Sequence, residues 1–317
     1  MAEKINIFWF RRDLRADDNA GLYHALKSGN PVLPIFIFDK HILNKLQDKS
    51  DRRVAFIHAA LETLQQTMVH AGSSLIIYHD TPENAFKNLV SKYDISAVFT
   101  NHDYEPYAAE RDAGIKKFLD MHGIIMQTFK DQVIFEKNEI LKDDGKPYTV
   151  FTPYSRKWKA TLTSTQLDSY SCKKYHSNFF KHPESKIHSL KQLGFHESAI
   201  QFPYNALKEE LIKKYGKERD FPGINGTSRL GVHLRFGTIS IRQLAAKTKH
   251  LSETYLNELI WRDFYHMILW HFPHVGRGIS FKPAYDNIEW VKETGEFEKW
   301  CKGHTGYPIV DAGMREL

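Results

Sequence analysis

Short apolar runs alternate with amphipathic stretches from Ile5 to Thr128, and this alternation constrains the fold more than any other feature. Ile5–Phe10 and Val32–Phe38 are unbroken apolar runs, as expected of strands covered on both faces. Between them, Asp17-Asp18-Asn19 offers a cap for a helix over Ala20–Lys27. Arg53–His70 carries apolar residues at helical spacing and stops at Gly72. Ser74–Tyr78 reads as the next strand, and Thr81-Pro82 then sets a capping hydroxyl before a proline at the first helical position. Val98–Thr100 and Ile124–Thr128 complete the strands, with a helix from Ala108 to Met121 between them. The pattern predicts an α/β N-terminal domain over residues 1–131, built on a doubly wound parallel sheet with right-handed crossovers.

Ligands of such sheets lie beyond the carboxyl ends of the strands. Those ends carry Arg11-Arg12-Asp13, Asp39-Lys40-His41, His79-Asp80 and Asn101-His102-Asp103-Tyr104-Glu105. Neither a G-x-G-x-x-G turn nor a P-loop follows the first run, which argues against an ordinary dinucleotide or triphosphate site. Residues 132–205 are irregular and read as an interdomain linker, with a turn at Asp143-Asp144-Gly145 and a Lys- and His-rich surface stretch over Ser169–Ser185. Residues 206–317 read as all-α: Ala206–Tyr215, Ser228–Phe236, Ile241–Thr248 with a Ser240/Gln243 capping box, Glu253–His271 and Phe297–Lys302.

Composition sets outer bounds. A chain of 317 residues with 42% apolar and 26% charged residues can bury two ordinary cores. The net charge of +6 permits a polyanionic partner without demanding one. The two cysteines, Cys172 and Cys301, lack metal-ligand spacing and fit a reducing, cytoplasmic setting with no metal site. Met1-Ala-Glu-Lys leads straight into the first strand without a secretory pattern, and no apolar run is long enough for a membrane-spanning helix. Aromatic residues make up 13% of the chain, which suits a large core or, alternatively, base stacking or electron transfer.

Two later segments carry the chemistry. In Gly226-Thr-Ser-Arg-Leu-Gly-Val-His-Leu-Arg-Phe-Gly237, the hydroxyls of Thr227 and Ser228 stand at an expected helix start, followed by Arg229, Leu230 and Gly231. Such a start suits a phosphate, although Thr-Ser alone also reads as a plain N-cap. Further on, Glu258, Trp261, Arg262 and Tyr265 recur at i, i+3, i+4 and i+7 and so share one helical face. That face suits a flat aromatic partner; the alternative is a buried aromatic stripe with an internal Glu–Arg pair.

These segments, together with Trp9-Phe-Arg-Arg-Asp-Leu-Arg15, resemble the DNA photolyase/cryptochrome family, and class I cyclobutane pyrimidine dimer photolyases in particular. The resemblance covers the chain from Ile7 to Leu317. It implies an antenna domain followed by a helical FAD-binding domain, and light-driven splitting of pyrimidine dimers in DNA by an electron from photoexcited reduced FAD. It places Tyr215, Thr227, Ser228, Arg229, Leu230, Gly231, Tyr255 and Arg262 against the flavin. Gly231 stands where the family usually has serine. Arg219, otherwise readable as a solvated surface charge, would meet the DNA backbone, with Glu258, Trp261 and Tyr265 facing the lesion. Glu258 and Trp261 take the catalytic roles: the indole packs against the extruded dimer, and the acid hydrogen-bonds its carbonyls with a pKa raised in the occupied site. Trp290 would be the outermost member of an electron-transfer chain. Tyr104-Glu-Pro-Tyr-Ala108 lacks the anchors usual for a folate antenna and is closer to deazaflavin- or flavin-type members. The implied partner is dimer-containing DNA, read by a monomer. Family members continue past this length, so the chain reads as truncated within the FAD-binding domain; a photoreceptor of cryptochrome type or an inactive remnant are the rival readings.

Overall fold

The computed structural model describes residues 3–197, 201–290 and 294–316, in two compact units, one reaching Arg277 and one beginning at Gly278. The first unit opens with five strands and their crossover helices: β1 (Ile5–Phe10), α1 (Ala20–Lys27), β2 (Val32–Asp39), α2 (Lys40–Leu43), α3 (Arg52–His70), β3 (Ile76–Asp80), α4 (Pro82–Lys92), β4 (Ile95–Asn101), α5 (Pro106–Asp120) and β5 (Ile125–Phe129). All pairings are parallel and the order is β3-β2-β1-β4-β5. The doubly wound sheet expected from the alternation is present, and its order reverses between β1 and β4.

Residues of β1 alternate between two cores, as the pleat requires. Phe8 and Phe10 pack with Leu22 and Leu26 of α1 and Leu61, Leu64 and Met68 of α3. Ile5, Ile7 and Trp9 face the other side, against Phe86 and Leu89 of α4 and Ile115 and Leu119 of α5. Helices therefore cover both faces, and every residue of β1 is buried. Local chemistry sets the helix ends: Asn19 caps α1 by accepting from Leu22 N, and Thr81 caps α4 ahead of Pro82.

The stretch read as an irregular linker needs correction. It holds α6 (Phe151–Thr161), whose Tyr154 and Trp158 are fully buried. Pro153 masks this helix in the sequence, yet it lies in the first turn, where its missing N–H costs no intrahelical bond. The Ser169–Ser185 stretch is not purely surface either: Cys172 and Phe179 enter the first core, and Phe180 N donates to Val32 O at 2.8 Å.

Four helices complete the unit: α7 (Glu209–Glu218), α8 (Gly231–Phe236), α9 (Ile241–Thr248) and α10 (Glu253–His271). The last two match expectation, with Ser240 and Ser252 as their caps. By contrast, α7 begins at Glu209 instead of Ala206. The expected helix over Ser228–Phe236 shrinks to α8 because Arg229 takes φ +52°, outside the helical region. Gly237 then ends α8 at φ +66°, packed so closely that a Cβ there would collide with the Arg12 carbonyl.

A buried ionic network joins sheet and helices. Asp131, just after β5, accepts from Arg15 Nη2 at 2.7 Å, from Arg242 Nη2 at 2.8 Å and from Ala20 N at 3.0 Å. Arg242 also donates to Asp18 Oδ1 at 3.0 Å, and Ser240 Oγ hydrogen-bonds Asp18 Oδ2. Burial pushes the Asp131 carboxyl up, but Arg15 and Arg242 outweigh it and hold the pKa at about 2. Removing one partner leaves a buried charge unpaired. We expect Arg242→Leu to lower unfolding free energy by about 3–5 kcal/mol in urea titration. The wild-type contribution of Asp131 is full above the ordinary carboxylate range and falls away as pH drops toward 2.

In the second unit, α11 (Thr294–Cys301) precedes α12 (Pro308–Glu316). Asp311 fastens the turn before α12 by accepting from Thr305 N at 2.7 Å and Gly306 N at 3.0 Å.

Candidate active site

The start of α10 is where the predicted residues converge. Ser252 accepts from Tyr255 N at 3.2 Å and sets the helix entry. Tyr255 is buried, and its hydroxyl lies 3.0 Å from Ser228 Oγ, so the hydroxylated loop before α8 touches the first turn of α10. The ring of Tyr215, from α7, meets Tyr255 edge-on at 5.0 Å. Burial raises the pKa of both phenols, so each keeps its proton as a donor. Arg219 closes the group: its guanidinium lies over Tyr215 at 5.6 Å, and Nη1 donates to Glu258 Oε1. Tyr215, Arg219, Ser228, Tyr255 and Glu258 therefore form one contiguous patch.

Trp261 sits one turn beyond Glu258. Its ring stacks on Phe151 of α6 at 3.6 Å and 5°, and on Tyr265 at 5.5 Å and 23°. Tyr265 is 58% exposed, so this end of α10 offers aromatic surface to solvent. Arg262 departs from the shared-face expectation. Its guanidinium donates to the Gln132 and Leu234 carbonyls, tying α10 to the segment after β5 and to α8. Burial lowers its pKa to about 10, with Asp263 opposing that shift.

The loop before α8 is also arranged differently from expectation. Leu230, not Thr227 or Ser228, is the N-cap residue, and its own side chain is buried. Ser228 Oγ instead accepts from Leu230 N at 3.4 Å while meeting Tyr255. Thr227, Arg229 and Gly231 are exposed. A Cβ on Gly231 would meet nothing within 4 Å, so the space a serine would fill is open. Gly226, by contrast, packs against the Glu218 carbonyl, which a Cβ would approach to 2.8 Å. An exposed hydroxyl, a half-buried one and open space beside neutral phenols fit the phosphate-bearing part of a flavin cofactor. Trp290, in the second unit, is 74% exposed.

Sequence reasoning missed Asp263. It is fully buried, and Oδ2 accepts from Ile134 N at 3.1 Å, Phe135 N at 3.0 Å and Trp158 Nε1 at 3.0 Å. Oδ1 has no hydrogen-bond partner among the described residues. The available signal was an acid embedded in Trp-Arg-Asp-Phe-Tyr, on the side of α10 opposite its solvent edge. Sequence reasoning also missed Phe151, hidden with α6.

The matches to known proteins bear directly on this patch. A family model described as DNA photolyase matches residues 6–172, and one described as the FAD binding domain of DNA photolyase matches residues 255–317. The chain belongs to the DNA photolyase family. A deoxyribodipyrimidine photo-lyase from Synechococcus sp. is 33% identical, over 98% of this chain and 69% of that relative. Among solved structures, a bacterial class III photolyase from Agrobacterium tumefaciens superposes with TM-score 0.83 at 26% identity, covering 100% of this chain and 69% of the other. An archaeal photolyase from Sulfolobus tokodaii, described with two FAD molecules, gives 0.77 at 29%, covering 98% and 69%. In this photolyase-family chain Tyr255, Glu258, Trp261 and Arg262 of α10 thus lie inside the segment matched to the FAD-binding domain.

Burial raises the Asp263 pKa to about 6, only partly offset by the Phe135 and Trp158 hydrogen bonds. A raised folded-state pKa stabilises below the unfolded value and loses that contribution as pH rises through 6. The Asp263 contribution to the urea midpoint should therefore fall as pH rises from 4 to 6 in the wild type. Asp263→Asn, which cannot ionise, should flatten that slope.

Proposed function

We propose that this chain carries the light-driven repair site for cyclobutane pyrimidine dimers in DNA, working as a cytoplasmic monomer. The observation that carries the reading is the single patch in which Ser228 meets Tyr255 and Arg219 meets Glu258. It joins the segment suited to a cofactor to the face suited to a lesion. Tyr215, Thr227, Ser228, Arg229, Leu230, Gly231 and Tyr255 would hold FAD, which when bound supplies the light-absorbing electron donor; Arg262, with its guanidinium on the Gln132 and Leu234 carbonyls, would hold α10 in place beside it.

The residues of this chain divide the remaining work. Trp261 offers an indole to an extruded base, a contact of about 1–3 kcal/mol for aromatic–base stacking. Tyr265 extends that aromatic surface. Glu258 would meet the dimer carbonyls once Arg219 releases it, because the guanidinium occupies its carboxyl group in the free protein. A DNA phosphate is the natural competitor for Arg219, so backbone engagement would free Glu258 for the lesion. Trp290, exposed in the second unit, would exchange electrons with an external reductant.

The antenna belongs at the carboxyl ends of the strands. There Asp39 accepts from Tyr107 Oη at 2.5 Å, and Arg111 lies over Trp9 at 4.9 Å and Tyr107 at 5.8 Å. The Tyr104-Glu-Pro-Tyr-Ala108 loop, which lacks the folate anchors, favours a deazaflavin or flavin over a folate there.

Binding measured in the dark separates the roles. Arg219→Ala should weaken damaged and undamaged DNA alike and reduce the salt slope by about 1. Trp261→Ala should weaken only dimer-containing DNA, by about tenfold or more. Equal loss on both DNAs for Trp261→Ala would remove the lesion reading. The absorption spectrum of the purified protein, with released chromophores identified by mass, should show FAD and a deazaflavin or second flavin; a released folate would overturn the antenna assignment.

A further inference from the structure

The Phe151–Trp261 pair is unusual in its geometry. At 3.6 Å between centroids and 5° between planes, the rings lie at van der Waals contact with almost no lateral offset. Ring quadrupoles favour offset or edge-on pairs over a face-to-face sandwich, so the rings' own attraction does not explain this arrangement. Helix packing does. Phe151, Tyr154 and Trp158 lie at i, i+3 and i+7 on one face of α6. Trp158 Nε1 donates to Asp263 at 3.0 Å, Tyr154 packs on Phe264 at 5.1 Å, and Phe264 meets Phe151 and Trp261 edge-on at 6.0 and 5.7 Å. Two buried contacts thus clamp α6 to α10 and deliver Phe151, its first residue, onto the indole.

We infer that Phe151 is a positioning residue for lesion recognition, setting the plane of the Trp261 indole that an extruded base would stack against. This rests on the proposed role of Trp261 and adds to it the reason the indole is ready before DNA arrives. A free tryptophan on a helix surface would sample several rotamers and lose that freedom on binding. Here the cost is met during folding by α6. Phe151 itself need not touch DNA.

The test compares dark binding of a thymine-dimer oligonucleotide with that of the undamaged strand, using the full chain. Phe151→Leu keeps apolar volume but cannot hold a ring plane, and Phe151→Tyr keeps the plane. Phe151→Leu should lose about three- to tenfold of the preference for damaged DNA, leave undamaged binding unchanged, and be rescued by Phe151→Tyr. In a Trp261→Ala background, Phe151→Leu should have no further effect, because it acts only through the indole. Wild-type preference in Phe151→Leu, with preference lost in Trp261→Ala, overturns the positioning role and leaves the lesion reading standing. Full preference in Trp261→Ala overturns the lesion reading and the positioning role with it. Additive losses in the double variant overturn action through Trp261.

Discussion

Everything in the first unit hangs on two arginines and two aspartates removed from water. Arg15 and Asp18 come from the turn after β1, Asp131 from the end of β5, and Arg242 from the first turn of α9. Each ion carries a large desolvation cost, and no pair alone would repay it. Shared contacts change the balance: Asp131 faces both guanidiniums and a backbone N–H, while Asp18 accepts from Arg242 and Ser240. The network sits on the carboxyl side of the sheet. There it fixes the loop that Gly237 must approach closely and, through α8 and α9, the height at which α10 runs.

A second buried acid, Asp263, does for α10 what that network does for the layer. It gathers two backbone N–H groups from the segment after β5 and the Trp158 indole N–H onto one oxygen. Arg262, its neighbour, takes carbonyls from the same segment and from α8. Adjacent residues thus satisfy donors and acceptors of the surrounding backbone, and α10 cannot rotate without breaking both sets. The opposite edge of the helix bears Glu258, Trp261 and Tyr265, where Arg219 and Phe151 meet it and Tyr265 reaches solvent. Rigidity on one side is what makes a prepared surface on the other.

Much of this was legible in the sequence, for identifiable reasons. The strands and α1, α9 and α10 could be placed from their apolar period, with Asn19 and Ser240 marking the starts of α1 and α9. The Gly226–Gly237 and Asn257–Tyr265 segments could be singled out because one puts hydroxyls at a helix start and the other puts an acid, an indole, a guanidinium and a phenol at helical spacing. The geometry within the first segment was not legible. A hydroxyl pair before a helix reads as a cap, and only the left-handed backbone of Arg229 shows that the helix starts three residues later. Nor was α6: its proline reads as a breaker unless the helix start is already known. The pairing of Arg219 with Glu258 spans two helices far apart in sequence and leaves no local trace.

Missing α6 mattered because a linker and a scaffold predict different sites. With residues 132–205 as loose connection, Trp261 would be an unsupported indole on a helix edge. With α6 in place, Phe151, Tyr154 and Trp158 form a rigid wall, and the indole is held before any ligand arrives. The functional face of α10 is then assembled from both sides of the chain: α7 and the loop before α8 bring Arg219 and Ser228 to its first turns, and α6 brings Phe151 to its middle. A segment that carries none of the recognised motifs therefore decides how the motif residues are presented.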